Sequence, residues 1–188
     1  MDARSIARLL TLCLLAGCGS TKSVDLSPFV GLYQLDTHTL NPSGCEVEGS
    51  PVAGSQSLAV VFPLSSLNVG VIARAEDCAD PADCRTLATS TMPGPMSAAN
   101  FAAYFSQVTA DGQGLTGTSF GLDGDGIAYV TDNTLQRTGN AVRIEMRTHV
   151  LPCQMSGSKC DKTATIAAAP GAPCSELRIA AGTFLERL

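Results

Sequence analysis

The chain has 188 residues, a formal charge of -5 and only 15% charged residues. That length suits one domain with a single sizeable core. The acidic balance, with nine arginines and three lysines scattered along the chain, speaks against nucleic acid, because phosphate binding needs clustered cations.

Residues 1–17 have the form of an export signal. Arg4 and Arg8 give a positive start, "LLTLCLLA" a short apolar run, and Ala16 and Gly17 a small-residue end. The run is less than half the ~20 residues a membrane span needs. Leu15, Ala16, Gly17 and Cys18 follow directly. This LAGC stretch resembles the lipobox of bacterial lipoproteins. The resemblance implies that residues 1–17 are removed and that Cys18 becomes an acylated first residue. It further implies a membrane held through that lipid, in the cell envelope. Gly19, in place of the aspartate that retains such proteins at the inner membrane, implies the outer membrane where the host has two. Residues 18–28 then form a polar tether, and residues 29–188 a single β domain. The mature chain carries 16 acids and 10 bases, a charge of -6.

Eight cysteines become six on this reading: Cys45, Cys78, Cys84, Cys153, Cys160 and Cys174. An even set in an exported chain points to disulfides, with 15 conceivable pairings among them. The two close pairs, Cys78 with Cys84 and Cys153 with Cys160, suggest local loops. Cys45 with Cys174 would then be the long-range staple. The spacings, and the lack of a nearby histidine, fit zinc poorly.

In chain order, "FVGLYQLDTHTL" (29–40) alternates as a strand. "SLAVVFPL" and "LNVGVIARA" form a β-branched pair joined by a turn. "AEDCADPADC" is expected as an acidic loop and "RTLATST" as a short strand. "SAANFAAYFSQVTADG" is the helix candidate, near 98–108. Its alanines have high helix propensity, and Phe101, Phe105 and Val108 fall at i, i+4 and i+7. Three strands follow, "LTGTSFGL", "IAYVTDNTLQ" and "AVRIEMRTHVL", joined by the turns "DGDG" and "RTGN". In the last, Val142, Ile144 and Met146 alternate with Arg143, Glu145 and Arg147. "TATIAAAPGAP" is expected as a loop or edge, and "SELRIAAGTFLERL" as the closing strand.

These elements predict a mainly β domain, an antiparallel barrel or sandwich with one short helix, stapled by disulfides. "FVGLYQL" is similar to the opening of lipocalins, with Gly31 at the family glycine and Tyr33 where the family has Trp. Thr131, Asp132 and Asn133 are similar to the family's Thr-Asp-Tyr. The resemblance implies a barrel with a small apolar ligand, and Phe29, Tyr33, Val60, Phe62 and Val71 are its candidate lining.

Few residues promise chemistry. "GTSFG" (117–121) matches G-x-S-x-G and offers Ser119 as a nucleophile, with Asp125 or Asp132 and His149 as partners. The sequence after it reads as turn and strand rather than the required helix. "DGDG" departs from a calcium loop, with Ile127 and Ala128 at the fifth and sixth positions. Glu76, Asp77, Asp80 and Asp83 form an acidic stretch whose default is solvation. His38 and His149 would share a metal only on neighbouring strands with Asp36 or Glu145. No cofactor or metal motif is present. The expectation is therefore a lipid-anchored envelope protein without enzymatic activity, a binding or structural module. An apolar-ligand carrier and a serine hydrolase using Ser119 are the alternatives, and an envelope protein is a further possible partner.

Overall fold

Strand β1 (Gly31–Asn41) is the reference from which the sheet is built. The computed structural model describes residues 25–66, 70–89 and 101–188, with side chains at 65, 66, 70 and 71 excepted. The export signal, Cys18 and residues 19–24 of the tether lie outside the described residues, as do residues 98–100 of the expected helix and the side chain of Val71.

The chain continues through β2 (Ser50–Pro51), β3 (Leu58–Ser66), β4 (Gly70–Cys78) and helix α1 (Pro81–Thr89). Next come β5 (Ala102–Phe105), β6 (Gln107–Val108), β7 (Gly114–Leu122), β8 (Ile127–Thr138) and β9 (Ala141–Pro152). A small hairpin, β10 (Met155–Ser156) and β11 (Lys159–Cys160), precedes helix α2 (Lys162–Ala168), a 3-10 turn (Ala169–Gly171) and β12 (Cys174–Glu186). The sheet order is β5-β4-β3-β1-β12-β9-β8-β7-β6, antiparallel at every pairing. β5 and β6 stand at the two ends of that order yet are separated by Ser106 alone, whose N–H donates to Thr116 O at 2.9 Å. One interrupted strand thus meets both edges, and the sheet is a nearly closed barrel.

Two glycines make the barrel geometry feasible. A Cβ at Gly117 would lie 2.4 Å from Tyr104 O, where β5 crosses close to β7. A Cβ at Gly182 would lie 1.8 Å from Gln34 O, beside the β1 bulge between Leu35 and Thr37. Both are places where only hydrogen fits between two backbones.

The main core fills the barrel interior: Tyr33, Leu35, Phe105, Leu115, Leu135 and Ile144 among others. Two further clusters lie on the outer face. Leu32, Leu58, Val60 and Phe62 pack with Cys84 and Leu87 of α1. Ala128, Val130 and Leu151 pack with Ile166 and Ala169. Burial on both faces explains the unbroken apolar run Leu58–Ala59–Val60–Val61–Phe62, where a half-buried strand would alternate.

The expected helix near 98–108 is a strand in its described part. Phe101, Ala103 and Phe105 are all buried, a period of two that spacing by four also satisfies. "RTLATST" begins in α1 rather than in a strand. Asp80 Oδ1 accepts from the N–H groups of Ala82 (2.8 Å) and Asp83 (2.9 Å), and Pro81 takes the first helical position. "TATIAAAPGAP" holds α2, capped by Asp161 accepting from Ala164 N at 2.9 Å. In "AEDCADPADC", Glu76 and Asp77 are buried in β4. The hairpins at Asp123–Gly126 and Arg137–Asn140 form as expected, with Gly126 at φ +78 and Gly139 at φ +61.

The three disulfides join Cys45 to Cys174, Cys78 to Cys84 and Cys153 to Cys160. Each sits on one of the three long connections at the same end of the barrel, after β1, β4 and β9 respectively. The Cys45–Cys174 bridge closes a sequence separation of 129. In the chain-entropy account a loop that long contributes about 4–5 kcal/mol. The double variant Cys45→Ala/Cys174→Ala is expected to lose stability of that order, measured as the shift in urea unfolding free energy. A shift under about 1 kcal/mol would contradict it.

Candidate functional site on the inner face of the barrel

The register of β7, β8, β9 and β12 sorts their side chains into rows across the sheet. Leu115, Leu135, Ile144 and Ala180 form the first, inside and sealed at 0–1% exposure. Two residues toward the disulfide-bearing end, the row reads Gly117, Asn133, Met146 and Arg178. The next reads Ser119, Thr131, Thr148 and Glu176, and beyond it Gly121, Tyr129 and Val150. All point inward, because neither ladder shifts register between these rows.

Exposure rises along the series. Asn133 is 1% exposed, Tyr129 44% and Val150 38%. The apolar residues meanwhile change face. In β8, Leu135 points inward, whereas Val130 and Ala128 point outward beneath the 3-10 turn. β9 does the same with Ile144 inside and Leu151 outside. The helix that covers the outside of this end takes up the apolar side chains, and the inside is left polar.

The polar rows are knitted together. Thr131 and Thr148 hydroxyls are 3.0 Å apart. Asn133 Nδ2 donates to Gly117 O (3.4 Å), Ser119 Oγ (3.3 Å) and Thr131 O (3.2 Å). Asn133 Oδ1 has no protein partner. Arg178 lies 3.7 Å from Glu176 and acts electrostatically on His38 and Asp77.

His38, opposite Ala180, and Asp77, opposite Ala59, also face inward. His38 is 5% exposed, stands edge-on to Phe101 with ring centroids 5.3 Å apart, and neither ring nitrogen has a protein partner. Burial, reinforced by the charge of Arg178, pushes its pKa down to about 4. Asp77 Oδ1 accepts from Phe101 N at 3.0 Å, while Oδ2 makes no hydrogen bond. Burial raises its pKa, opposed by backbone N–H groups and Arg178.

Other residues named from sequence do not converge. Ser119 faces inward, while His149 belongs to the row of Phe120, Val130 and Cys174 on the opposite face. His149 Nδ1 is 3.0 Å from Ala172 O, and Ser119 Oγ is engaged by Asn133 and Thr131. A nucleophile and base on opposite faces cannot exchange a proton, so the Ser119–His149 constellation fails. His38 and His149 are likewise parted by β12 and by face.

Asp123 Oδ1 caps its own turn through Asp125 N and Ile127 N. Glu76 and Asp77 diverge to opposite faces, and Asp80 and Asp83 serve the start of α1. Among the described residues no group of three or more His, Cys, Asp or Glu is arranged to hold a metal.

The expected apolar lining also separates. Phe29 and Tyr33 belong to the interior core, where Tyr33 Oη donates to Phe29 O at 2.6 Å. Val60 and Phe62 lie in the outer cluster under α1. Adjacent β3 residues point to opposite faces, so these four cannot bound one cavity.

Sequence reasoning did not single out Arg178 and Glu176, because a polar residue in a strand reads as outward; it named Asn133 only within the Thr-Asp-Tyr-like stretch and Asp77 only within an acidic loop expected to be solvated. It also missed the ion pair of Arg74 with Glu76 at 2.7 Å, buried against Tyr104. Comparison with protein-family models, curated proteins and solved structures found no match.

The histidine gives a pH test. Its folded pKa lies below the unfolded value, so on acidification the unfolded chain takes up the proton first. The stability tied to neutral His38 is therefore complete above about pH 6.5 and is lost toward pH 4, by about 3 kcal/mol. Asp77, with a raised pKa, contributes with the opposite sign. His38→Leu is expected to flatten the fall in urea midpoint between pH 6.5 and 4. An unchanged slope would show that His38 is not the titrating group.

Proposed function

We propose that this protein is a lipid-anchored, non-enzymatic binding module of the bacterial cell envelope. The observation that carries the binding part is the change of face along β7, β8 and β9. One end of the barrel is packed solid with apolar side chains, and the other turns Asn133, Ser119, Thr131 and Thr148 inward beneath an exposed rim. Of these inward groups Asn133 Oδ1 is buried without a partner, which costs ~1–3 kcal/mol unless a bound molecule satisfies it. The lipid anchor rests on the LAGC stretch at 15–18 and the export-like segment before it. Gly19 supports the outer membrane in a two-membrane host. The three disulfides agree with an oxidising compartment.

The lipocalin-like reading is supported in one respect. The eight strand positions β1, β3, β4, β5/β6, β7, β8, β9 and β12 follow one another around the barrel in chain order. Its apolar-ligand corollary is not supported, because the proposed lining residues divide between two clusters.

Expression of the full chain in a bacterial host with labelled palmitate tests the anchor. The wild type is expected to take up label and fractionate with membranes. Cys18→Ser is expected to lose the label and leave the membrane fraction. An unlabelled, water-soluble wild-type product that retains residues 1–17 would overturn the proposal.

A further inference from the structure

We infer that the inward surface of β7, β8 and β9, from the rim at Tyr129 and Val150 down to Asn133, binds a small neutral polyhydroxyl molecule of the monosaccharide class. The inference rests on the binding-module reading and specifies its ligand.

Charge speaks against an anion. The inward cation Arg178 is matched in the neighbouring row by Glu176 and acts on Asp77 as well. An anion would find no surplus of positive charge.

Hydrogen-bond inventory selects hydroxyls. Asn133 Oδ1 needs a donor, while the hydroxyls of Ser119, Thr131 and Thr148 can each donate or accept. A ligand must therefore donate to Oδ1 and can accept from the hydroxyls. A carboxylate or phosphate only accepts, and an ammonium only donates. A hydroxyl does both, as do Ser119, Thr131 and Thr148 along the route inward.

The rim selects a molecule with an apolar face. Tyr129 is 44% exposed at the end of the inward series, flanked by Val150 on one side and by Gly121, which has no side chain, on the other. A half-exposed aromatic ring above a floor of hydroxyls and an amide suits a sugar ring, whose C–H face packs on the aromatic while its edge hydroxyls reach the polar rows. The floor is fixed, since Asn133 Nδ2 is held by Gly117 O, Ser119 Oγ and Thr131 O. Oδ1 of the same amide is buried without a protein partner.

The test uses the full-length protein in detergent micelles and saturation-transfer NMR. The probes are glucose, galactose, mannose, N-acetylglucosamine, ribose and glycerol, with succinate, putrescine and dodecanoate beside them. At least one neutral sugar is expected to bind saturably. Asn133→Leu is expected to weaken it at least tenfold and Tyr129→Ala several-fold. Should Asn133→Leu fail to fold, the exposed Tyr129 position decides. The inference is overturned if both folded variants bind the sugar like the wild type, or if no neutral polyol binds. Binding of succinate, putrescine or dodecanoate alone, weakened by the same substitutions, would overturn the polyol class and leave the binding module standing. Binding of none of the nine would count against both.

Discussion

The architecture depends on one strand that serves two edges. Residues 102–105 complete the ladder with β4, residues 107–108 complete it with β7, and Ser106 bridges the change with a single hydrogen bond. Without this crossover the sheet would be open, with β4 and β7 presenting unpaired backbone groups along their length. The crossing requires two backbones in near contact, and Gly117 permits it because any Cβ there would collide with Tyr104 O. Inside and outside follow from closure. In the nearly closed sheet each residue's parity decides whether it faces the interior or the helices outside.

That parity makes the two ends of the barrel different. At the end where β1 starts and β12 finishes the interior is apolar, and Tyr33, Leu115, Leu135 and Ile144 exclude water. At the other end α2 and the 3-10 turn take the apolar side chains on the outside. A strand long enough to cross the barrel then shows two amphipathic phases, one after the other. β8 is the clearest case: Leu135 faces in, Val130 faces out, and Thr131 and Asn133 share the inward register with Leu135. The disulfides stand on the three long connections of the polar end. The staples hold the rim while the sealed end supplies the hydrophobic stability.

Much of this was legible in sequence wherever the signal was local. Asp-Gly and Gly-Asn pairs located both hairpins, the 142–147 alternation gave the inward set of β9, and cysteine spacing suggested the two local bridges, with Cys45 and Cys174 as the pair left over. Local signals failed where two periods coincide. Phe101 and Phe105 satisfy a helical stripe and a strand alternation equally, and the intervening alanines favour helix by propensity. Tertiary pairing with β4 decides for strand. α1 was hidden because its threonines suggest a strand, while the Asp80-Pro81 start lay inside what read as an acidic loop. The candidate site was hidden more deeply. In β8 the apolar pair Ala128 and Val130 marks the even-numbered face as buried, which is correct, but that face is the outer one. Nothing local reports that a helix 35 residues later covers it.

The same physics explains why G-x-S-x-G does not bring Ser119 and His149 together here. In a hydrolase the motif lifts serine onto a strained turn above a sheet, and the glycines make room for that turn. Here the motif lies within one long strand, and the first glycine has another reason to be small. Gly117 admits the crossing strand that closes the barrel, while at Gly121 a Cβ would lie 3.8 Å from Tyr129, an ordinary packing contact. Ser119, placed between them, is a wall residue bonded to Asn133 rather than a nucleophile beside a base. Its residue types match the motif, yet the closure that requires Gly117 also commits Ser119 to the inside and His149 to the outside. The fold thus turns a catalytic-looking spacing into part of the polar lining.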